Sequence, residues 1–509
     1  MPLDFPALPL KERVAAGDSY FCSIAAPEAR TRTLQPTGLP APPGTGEQYR
    51  FHFDMSKCIG CHCCEVACNE QNGNPADIQW RRVGEIEGGS YPFTKRFHLS
   101  MGCNHCVEPS CLIGCPVDAY TKDSLTGLVL HSADACIGCQ YCTWNCPYGV
   151  PQYNSERGVV GKCDMCYGRL GEGREPACVN ACPEGAIQVE VVNIAQWRQD
   201  YALQANAPGM PSAEHTISTT RITLPEALPA AMEKADYHRV RPELPHWPLV
   251  LMLVLTQMSV GAFVAIWLMQ IGGRMDVLRP ALAALAAGFV ALGAATLHLG
   301  RPIYAYRALK MWRRSWLSRE VLLFTLFSLA AAAYAGALWM GIPGVAGLGA
   351  LTSVLGVLGI SSSAYIYLVP ARPAWNNGHT IAEFFLTGAL LGSLFPSVVL
   401  RSGMPEAALY VAAAAGAAQL FNQILKFFTM FRSEEFELRA CLQLLSGELQ
   451  TPLAWRVALL LAGGILAPLL GQPIPALALA MAAEIIGRYL FFVSVVPKNM
   501  AAMFARDAS

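Results

Sequence analysis

The chain carries no net charge and little charge of either sign: 37 Lys and Arg balance 37 Asp and Glu, and charged residues fill only 15% of its 509 positions. Such a balance offers no electrostatic footprint for a polyanion, so composition gives no support to nucleic acid as a partner. The glycine-rich dinucleotide fingerprint, the Walker loop and the serine nucleophile elbow are all missing. No stretch reads as a pterin-binding site. The amino terminus lacks the basic start and apolar core of a secretory signal and has no twin arginine, so the sequence-level expectation is a protein that is not exported on its own signal. Histidine is thin in the apolar second half, where only His298 and His379 accompany His246 at the edge. They fall at span ends or in loops, so no haem is expected.

Two things are present in excess. Apolar residues reach 53%, more than an ordinary soluble chain of this length needs. Cysteine numbers nineteen, and sixteen of these lie between Cys58 and Cys182 in four groups of four. The first is Cys58, Cys61, Cys64 and Cys68; the second is Cys103, Cys106, Cys111 and Cys115; the third is Cys136, Cys139, Cys142 and Cys146; the fourth is Cys163, Cys166, Cys178 and Cys182. Runs of this kind hold iron-sulfur clusters, with closely spaced cysteines wrapping one cluster and the outlier three residues on reaching a neighbour. Four groups therefore give four clusters. A proline follows the last cysteine of groups two, three and four and is expected to stop a short helical turn that begins near that cysteine, because it has no amide to donate. Zinc sites also use Cys-x2-Cys pairs but do not need a run plus an outlier repeated four times. A disulfide framework belongs to short secreted chains, which this is not. Cys22, Cys63 and Cys441 stand outside the pattern and read as buried or idle thiols.

The length allows about three domains. Residues 1–48 read as an irregular tail ending in a Pro- and Gly-rich run. Residues 49–195 hold the cysteine groups in loops between short strands and helices, with strands expected at 127–132 and 185–194. Residues 196–245 form a polar connector, with a helix expected at Leu224–Lys234 after Thr223 as N-cap and Pro225 at the first position. From His246 to about residue 504, apolar runs long enough to cross about 30 Å of hydrocarbon recur eight times. They are placed near 247–271, 280–297, 319–340, 347–369, 381–400, 406–427, 454–471 and 474–497. The fold class expected is an α+β ferredoxin-like domain with four iron-sulfur clusters, fused to an all-α bundle of eight transmembrane helices.

The segments "MGCNHCVEPSCLIGCPVDAY" and "CIGCQYCTWNCPYGVPQYN", with the "GKCDMCYGRLGEGREPACVNACPEGAI" that follows, resemble the four-cluster electron-transfer subunit of the dimethyl sulfoxide reductase family of molybdoenzymes. "HWPLVL", "LHLGRP", "SWLSRE" and "AAEIIGRYLFF" resemble the membrane anchor of the same family, usually a separate chain. The resemblance implies four 4Fe-4S clusters held by Cys58, Cys61, Cys64 with Cys182; by Cys68 with Cys163, Cys166, Cys178; by Cys103, Cys106, Cys111 with Cys146; and by Cys115 with Cys136, Cys139, Cys142. It also implies a molybdopterin-containing catalytic subunit as partner, and quinone or quinol as the exchangeable substrate in the lipid, with His298 and Glu320 at its site.

A quinol gives up protons with its electrons, so a titrating imidazole and a relaying carboxylate suit such a site. Glu484 and Arg488, four apart within the last span, are expected to pair, since either alone costs about 2.5–3.5 kcal/mol on insertion scales. Gln419, Asn422 and Gln423 are expected to join helices by hydrogen bonds. Two other classes compete with an electron-transfer anchor: a cluster-driven ion-translocating module, which would want more aligned ionisable residues, and a structural anchor without quinone chemistry. Loops on the side of the cysteine domain hold Arg301, Arg307, Lys310, Arg313, Arg314, Arg319, Arg372, Lys426, Arg432 and Arg439, against Arg274, Arg279 and Arg401 opposite. By the positive-inside rule the cysteine domain is expected on the cytoplasmic face of the inner membrane.

Overall fold

The computed structural model describes residues 38–229, 232–235, 240–274, 276–400 and 406–499. Most of the amino-terminal tail, Cys22 and Arg401 lie outside the described residues.

In the cysteine-rich half the order is β1 (Glu47–Asp54), α1 (Cys63–Asn72), β2 (Arg82–Gly88), β3 (Lys95–Met101), α2 (Ser110–Gly114), β4 (Tyr120–Lys122), β5 (Val129–His131), α3 (Tyr141–Asn145), β6 (Gln152–Asn154), β7 (Val159–Gly161), α4 (Tyr167–Gly171), α5 (Ala177–Asn180), β8 (Ile187–Asn193), α6 (Ile194–Gln204), β9 (Arg221–Thr223) and β10 (Glu233–Lys234). β8 and β9 flank β1, antiparallel and parallel respectively. β10 and β3 flank β2, both antiparallel. β4–β5 and β6–β7 are separate hairpins. The strands expected at 127–132 and 185–194 are β5 and β8.

The connector does not behave as a spacer, because it returns to add β9 to one sheet and β10 to another. The helix expected at Leu224–Lys234 is not formed. Residues 224–229 have no helix or strand and 233–234 pair with β2. A second proline, Pro229, removes an amide that such a helix needs, and the open edge of β2 offers backbone partners instead.

The second half contains eight long apolar helices: Trp247–Ile271, Leu278–Leu297, Trp316–Trp339, Ala346–Tyr367, Gly378–Val399, Glu406–Arg432, Gln450–Leu469 and Pro473–Val493. They are called the first to eighth spans. Arg319, Lys426, Arg432 and Arg439 fall within helices rather than loops. A further helix, Phe436–Ser446, links the sixth and seventh spans and buries Ala440, Cys441, Leu444 and Leu445. With lipid outside, helices associate by close packing of small residues. The first and fifth spans cross at Gly261, Gly388 and Gly392, where a Cβ on Gly261 or Gly392 would strike the facing backbone.

The halves meet along the segment that follows the second span. Gly300 N–H donates to Gly138 O at 3.4 Å, Arg301 N–H to Ile137 O at 3.1 Å, and Met311 N–H to Pro116 O at 3.2 Å. Arg301 and Arg307 donate to the carbonyls of Ala133 and Asp134 at 2.8 and 2.9 Å, and Arg314 pairs with Asp118 at 2.8 Å. Gly138 and Gly158 have left-handed φ values of +68° and +65°, and a Cβ on Gly138, Gly158 or Gly300 would meet backbone atoms across the seam. Only glycine fits there.

Candidate functional site

The Cys-x2-Cys turn that opens each group is built the same way. Its second spacer residue, Gly60, His105, Gly138 or Met165, has positive φ. That turns the spacer amide onto the first cysteine: His105 N–H to Cys103 Sγ at 3.5 Å, Gly138 N–H to Cys136 Sγ at 3.4 Å, Met165 N–H to Cys163 Sγ at 3.4 Å. Left-handed backbone costs a non-glycine residue roughly 1–2 kcal/mol, and at His105 the fully buried ring recovers part of it by accepting Val129 N–H at 3.1 Å. The outlying cysteines also share a pattern, with Ala119 and Ala186 amides, four residues on, donating to Cys115 and Cys182 Sγ at 3.3 and 3.2 Å. Their helical turns end at these cysteines rather than starting there: α2 stops at Cys115 and α3 at Cys146.

The chain folds so that the groups interleave. Cys58, Cys61, Cys64 and Cys182 line one cavity, and Cys103, Cys106, Cys111 and Cys146 line another. Cys68 has Cys178 and Cys166 as electrostatic neighbours, and Cys163 has Cys68 and Cys178. Cys142 has Cys139, Cys115 and Cys136. Among the described residues no three His, Cys, Asp or Glu side chains converge on a single-ion position, as tetrahedral zinc with bonds of about 2.3 Å requires. Wide quartets around a cavity fit a body larger than one ion. Burial pushes the thiols of Cys64 and Cys146 up to about 11 and those of Cys68, Cys106 and Cys139 to about 12, so metal must displace protons on binding.

The quartets form a row. α1 carries Cys64 of the first quartet and Cys68 of the second, α3 carries Cys142 of the fourth, and Cys146 of the third caps its end. Cys163 and Cys103 adjoin between second and third. The first quartet is at the surface, where Cys61 is exposed beside Ile59 and Val66. The fourth is at the membrane bundle.

There α3 enters the hydrophobic core shared with the spans through Tyr141 and Trp144. The Trp144 ring lies 5.4 Å from His246, 6.3 Å from His298, 5.7 Å from Tyr367, 5.5 Å from Trp375 and 6.1 Å from Phe492. His298 caps the second span and reaches the backbone carbonyl of Cys139, while its Nε2 is buried without a partner. Burial, then the adjacent His246, brings its pKa down to about 4; burial and Arg372 do the same to His246. Both rings are neutral near pH 7. Glu320, the fifth residue of the third span, is buried beside Ser363, with Tyr141 in electrostatic reach. Thus the two residues singled out in the sequence both adjoin α3, one through Trp144 and the other through Tyr141. Trp144, Tyr141, His246 and Tyr367 were not assigned to the site from sequence; the aromatic pair inside the third cysteine group was the available signal.

Deeper in the bundle, Glu484 and Arg488 do not pair directly. Thr387 stands between them, donating to Glu484 Oε2 at 2.7 Å and lying 3.4 Å from Arg488 Nη2, which also donates to Gln257 Oε1 at 3.0 Å. Four residues apart on one helix, both side chains turn to the first and fifth spans, where neutral groups partner them, and Glu484 Oε1 is left buried without a partner. Gln419 reaches Thr387 and Asn422 reaches His379, joining helices as expected, while Gln423 Oε1 has no partner. Lys426 pairs with Glu383 at 3.4 Å.

Residues 94–192 match the model of a 4Fe-4S dicluster domain, and residues 241–493 that of the DMSO reductase anchor subunit (DmsC). The chain is 40% identical over 177 residues to the probable anaerobic dimethyl sulfoxide reductase chain YnfG of Escherichia coli, covering 33% of this chain and 85% of that one. It is 36% identical over 179 residues to an anaerobic dimethyl sulfoxide reductase chain of Haemophilus influenzae, covering 33% and 86%. To a sulfite dehydrogenase subunit of Allochromatium vinosum it is 36% identical over 160 residues, covering 27% and 67%.

Proposed function

Because this protein belongs to the dimethyl sulfoxide reductase family, joining its iron-sulfur chain to its membrane anchor as one electron-transfer subunit, we propose that it passes electrons between membrane quinol and a separate molybdopterin-containing catalytic subunit. The observation that carries the reading is α3: it bears Cys142, ends at Cys146, sets Trp144 against His298 and brings Tyr141 beside Glu320. The sixteen cysteines are assigned as four 4Fe-4S ligand sets in the quartets described, and the clusters supply one-electron storage when bound.

The residues of the chain do the rest. His298, neutral and with Nε2 unspent, is the hydrogen-bond partner for a quinol hydroxyl. Glu320 is the relay for a proton leaving that site. The aromatic rings around Trp144 exclude water between quinol and the fourth quartet. Leu297, next to His298 in the chain, and Ile303 and Tyr306 in the segment that follows are exposed, which suits entry of an apolar ligand from lipid. The exposed first quartet, with Ile59 and Val66, is the face for the catalytic partner. The cysteine domain is assigned to the cytoplasmic side of the inner membrane.

The test is anaerobic reduction of the clusters by a quinol analogue, followed by absorbance. His298→Ala and Glu320→Gln are each expected to abolish it while dithionite still reduces every cluster. Normal quinol-driven reduction in both variants would place the site elsewhere.

A further inference from the structure

Two fully buried cations occupy successive junctions of the row of quartets. Arg81, which precedes β2, is 2% exposed, and the charges acting on it are Cys178, Cys64, Cys163 and Cys68, from the first and second quartets. Its Nη1 donates to Ser100 O at 3.2 Å and lies 3.3 Å from Ser100 Oγ, whereas Nε and Nη2 have no partner. The guanidinium lies 4.6 Å over the Phe51 ring. Lys162, which follows β7, is 3% exposed. Its ammonium bonds the carbonyls of Val129 and of Cys163, the latter at 2.8 Å, and lies 3.7 Å from Cys103 Sγ. It thus bridges the second and third quartets. Neither cation bonds a carboxylate among the described residues. At the remaining junction stands a neutral group, Tyr120, whose buried hydroxyl has Cys142, Cys111 and Cys115 around it.

A buried charge is tolerated only with an opposite charge beside it. Arginine stays protonated in proteins, so the anion must come from what its neighbours hold. A cluster with four thiolates is an anion whose negative charge grows by one on reduction. A cation fixed beside it therefore favours the reduced form, and net charge and hydrogen bonds to sulfur are among the factors that set cluster potentials. The unspent Nε and Nη2 donors of Arg81 are available for sulfur of the quartets on either side.

We propose that Arg81 and Lys162 are fixed counter-charges of the electron path, each raising the reduction potentials of the two clusters it separates, so that the first three clusters are poised above the level their cysteines alone would give. The fourth cluster, beside His298, receives neither charge. The two residues act on the cofactors through charge and are not ligands. The inference rests on the ligand sets proposed above.

The experiment is a redox titration followed by electron paramagnetic resonance on the full-length protein in detergent, with iron determined in each sample and Cys142→Ser used to mark the fourth cluster. Arg81→Gln is expected to lower two potentials and Lys162→Met two, with the second cluster common to both and the fourth unmoved. The expected size is about a tenfold fall in the reduced-to-oxidised ratio at fixed potential, about 59 mV for one electron. Iron-replete variants that titrate like the parent, or that shift the fourth cluster equally, overturn the proposal. If a neutral variant fails to take up iron, Arg81→Lys and Lys162→Arg decide for their own positions. Loading retained by the cationic variant supports the counter-charge, and loading lost in it shows that shape governs the position and overturns the charge assignment there. Iron short of four clusters in the parent protein would instead remove the ligand sets, a failure separate from unmoved potentials.

Discussion

The imidazole of His298 and the indole of Trp144 lie nearly parallel, at 28°, with centroids 6.3 Å apart. One belongs to the cap of a membrane span and the other to the spacer between two cysteines of different quartets. Trp144→Ala opens a space among His246, Tyr367, Trp375 and Phe492, and large aromatic truncations cost about 3–5 kcal/mol. Thermal unfolding in detergent should show that loss, and quinol-driven cluster reduction should slow while iron content is kept. Trp144→Phe should retain most of both. Full quinol activity in Trp144→Ala would show that the stack is packing alone.

Cysteines inside and outside the quartets should separate cleanly by iron analysis. Cys142→Ser is expected to remove or convert one cluster of the four, out of about sixteen irons when each is a 4Fe-4S cluster. Cys63→Ser should remove none, since Cys63 is exposed and outside the quartets. Cys441→Ser should also remove none, because the buried Cys441 Sγ accepts Val496 N–H at 3.2 Å.

Lys426 and Glu383 are both largely enclosed, at 14% and 7% side-chain exposure, so breaking the pair strands a charge. Glu383→Ala should destabilise the bundle by about 3–5 kcal/mol, whereas the double replacement of both by methionine should lie near the parent. Thermal unfolding of the single and double variants measures the difference. A double variant as unstable as the single would show that the ion pair itself is needed.

Sidedness follows from the basic loops, but the structure changes how they count. Arg301, Arg307, Lys310 and Arg314 spend their charge on Ala133, Asp134 and Asp118 of the cysteine domain. Part of the asymmetry therefore goes with docking between the halves, and the proposed sidedness rests on the remainder, including Arg313 and Arg439. A fluorescent reporter after Ser509 is expected to be active and an alkaline phosphatase there inactive. The reverse pattern would put the cysteine domain outside.

The eight spans were legible because hydrocarbon thickness imposes a length on every one, and the cysteine groups because ligand spacing is local. What joined the halves was not. Trp144 reads as a spacer until the backbone of Gly138 seats against Gly300 and carries α3 into the bundle. Thr216, whose hydroxyl donates to Cys106 Sγ at 3.1 Å, sits in a stretch that reads as a polar connector. Arg81, in "QWRRV", looks like any surface arginine, because the cysteines that justify its burial, Cys64 and Cys68 before it and Cys163 and Cys178 far along the chain, are gathered only by the fold. Leu224–Lys234 failed for the opposite reason: its helical signals were local, and the edge of β2 outweighed them.

The seam at Gly138, Gly158 and Gly300 has a further consequence for a chain in which two subunits are one. Tethering makes the docking of the cysteine domain an intramolecular event. The glycine contacts then need not supply affinity, to which the buried Tyr141 and Trp144 already contribute. At the three glycines backbone meets backbone, which suits alignment of the fourth quartet relative to His298. A relative with separate chains must obtain both adhesion and alignment from the corresponding surface, and should tolerate less change around it.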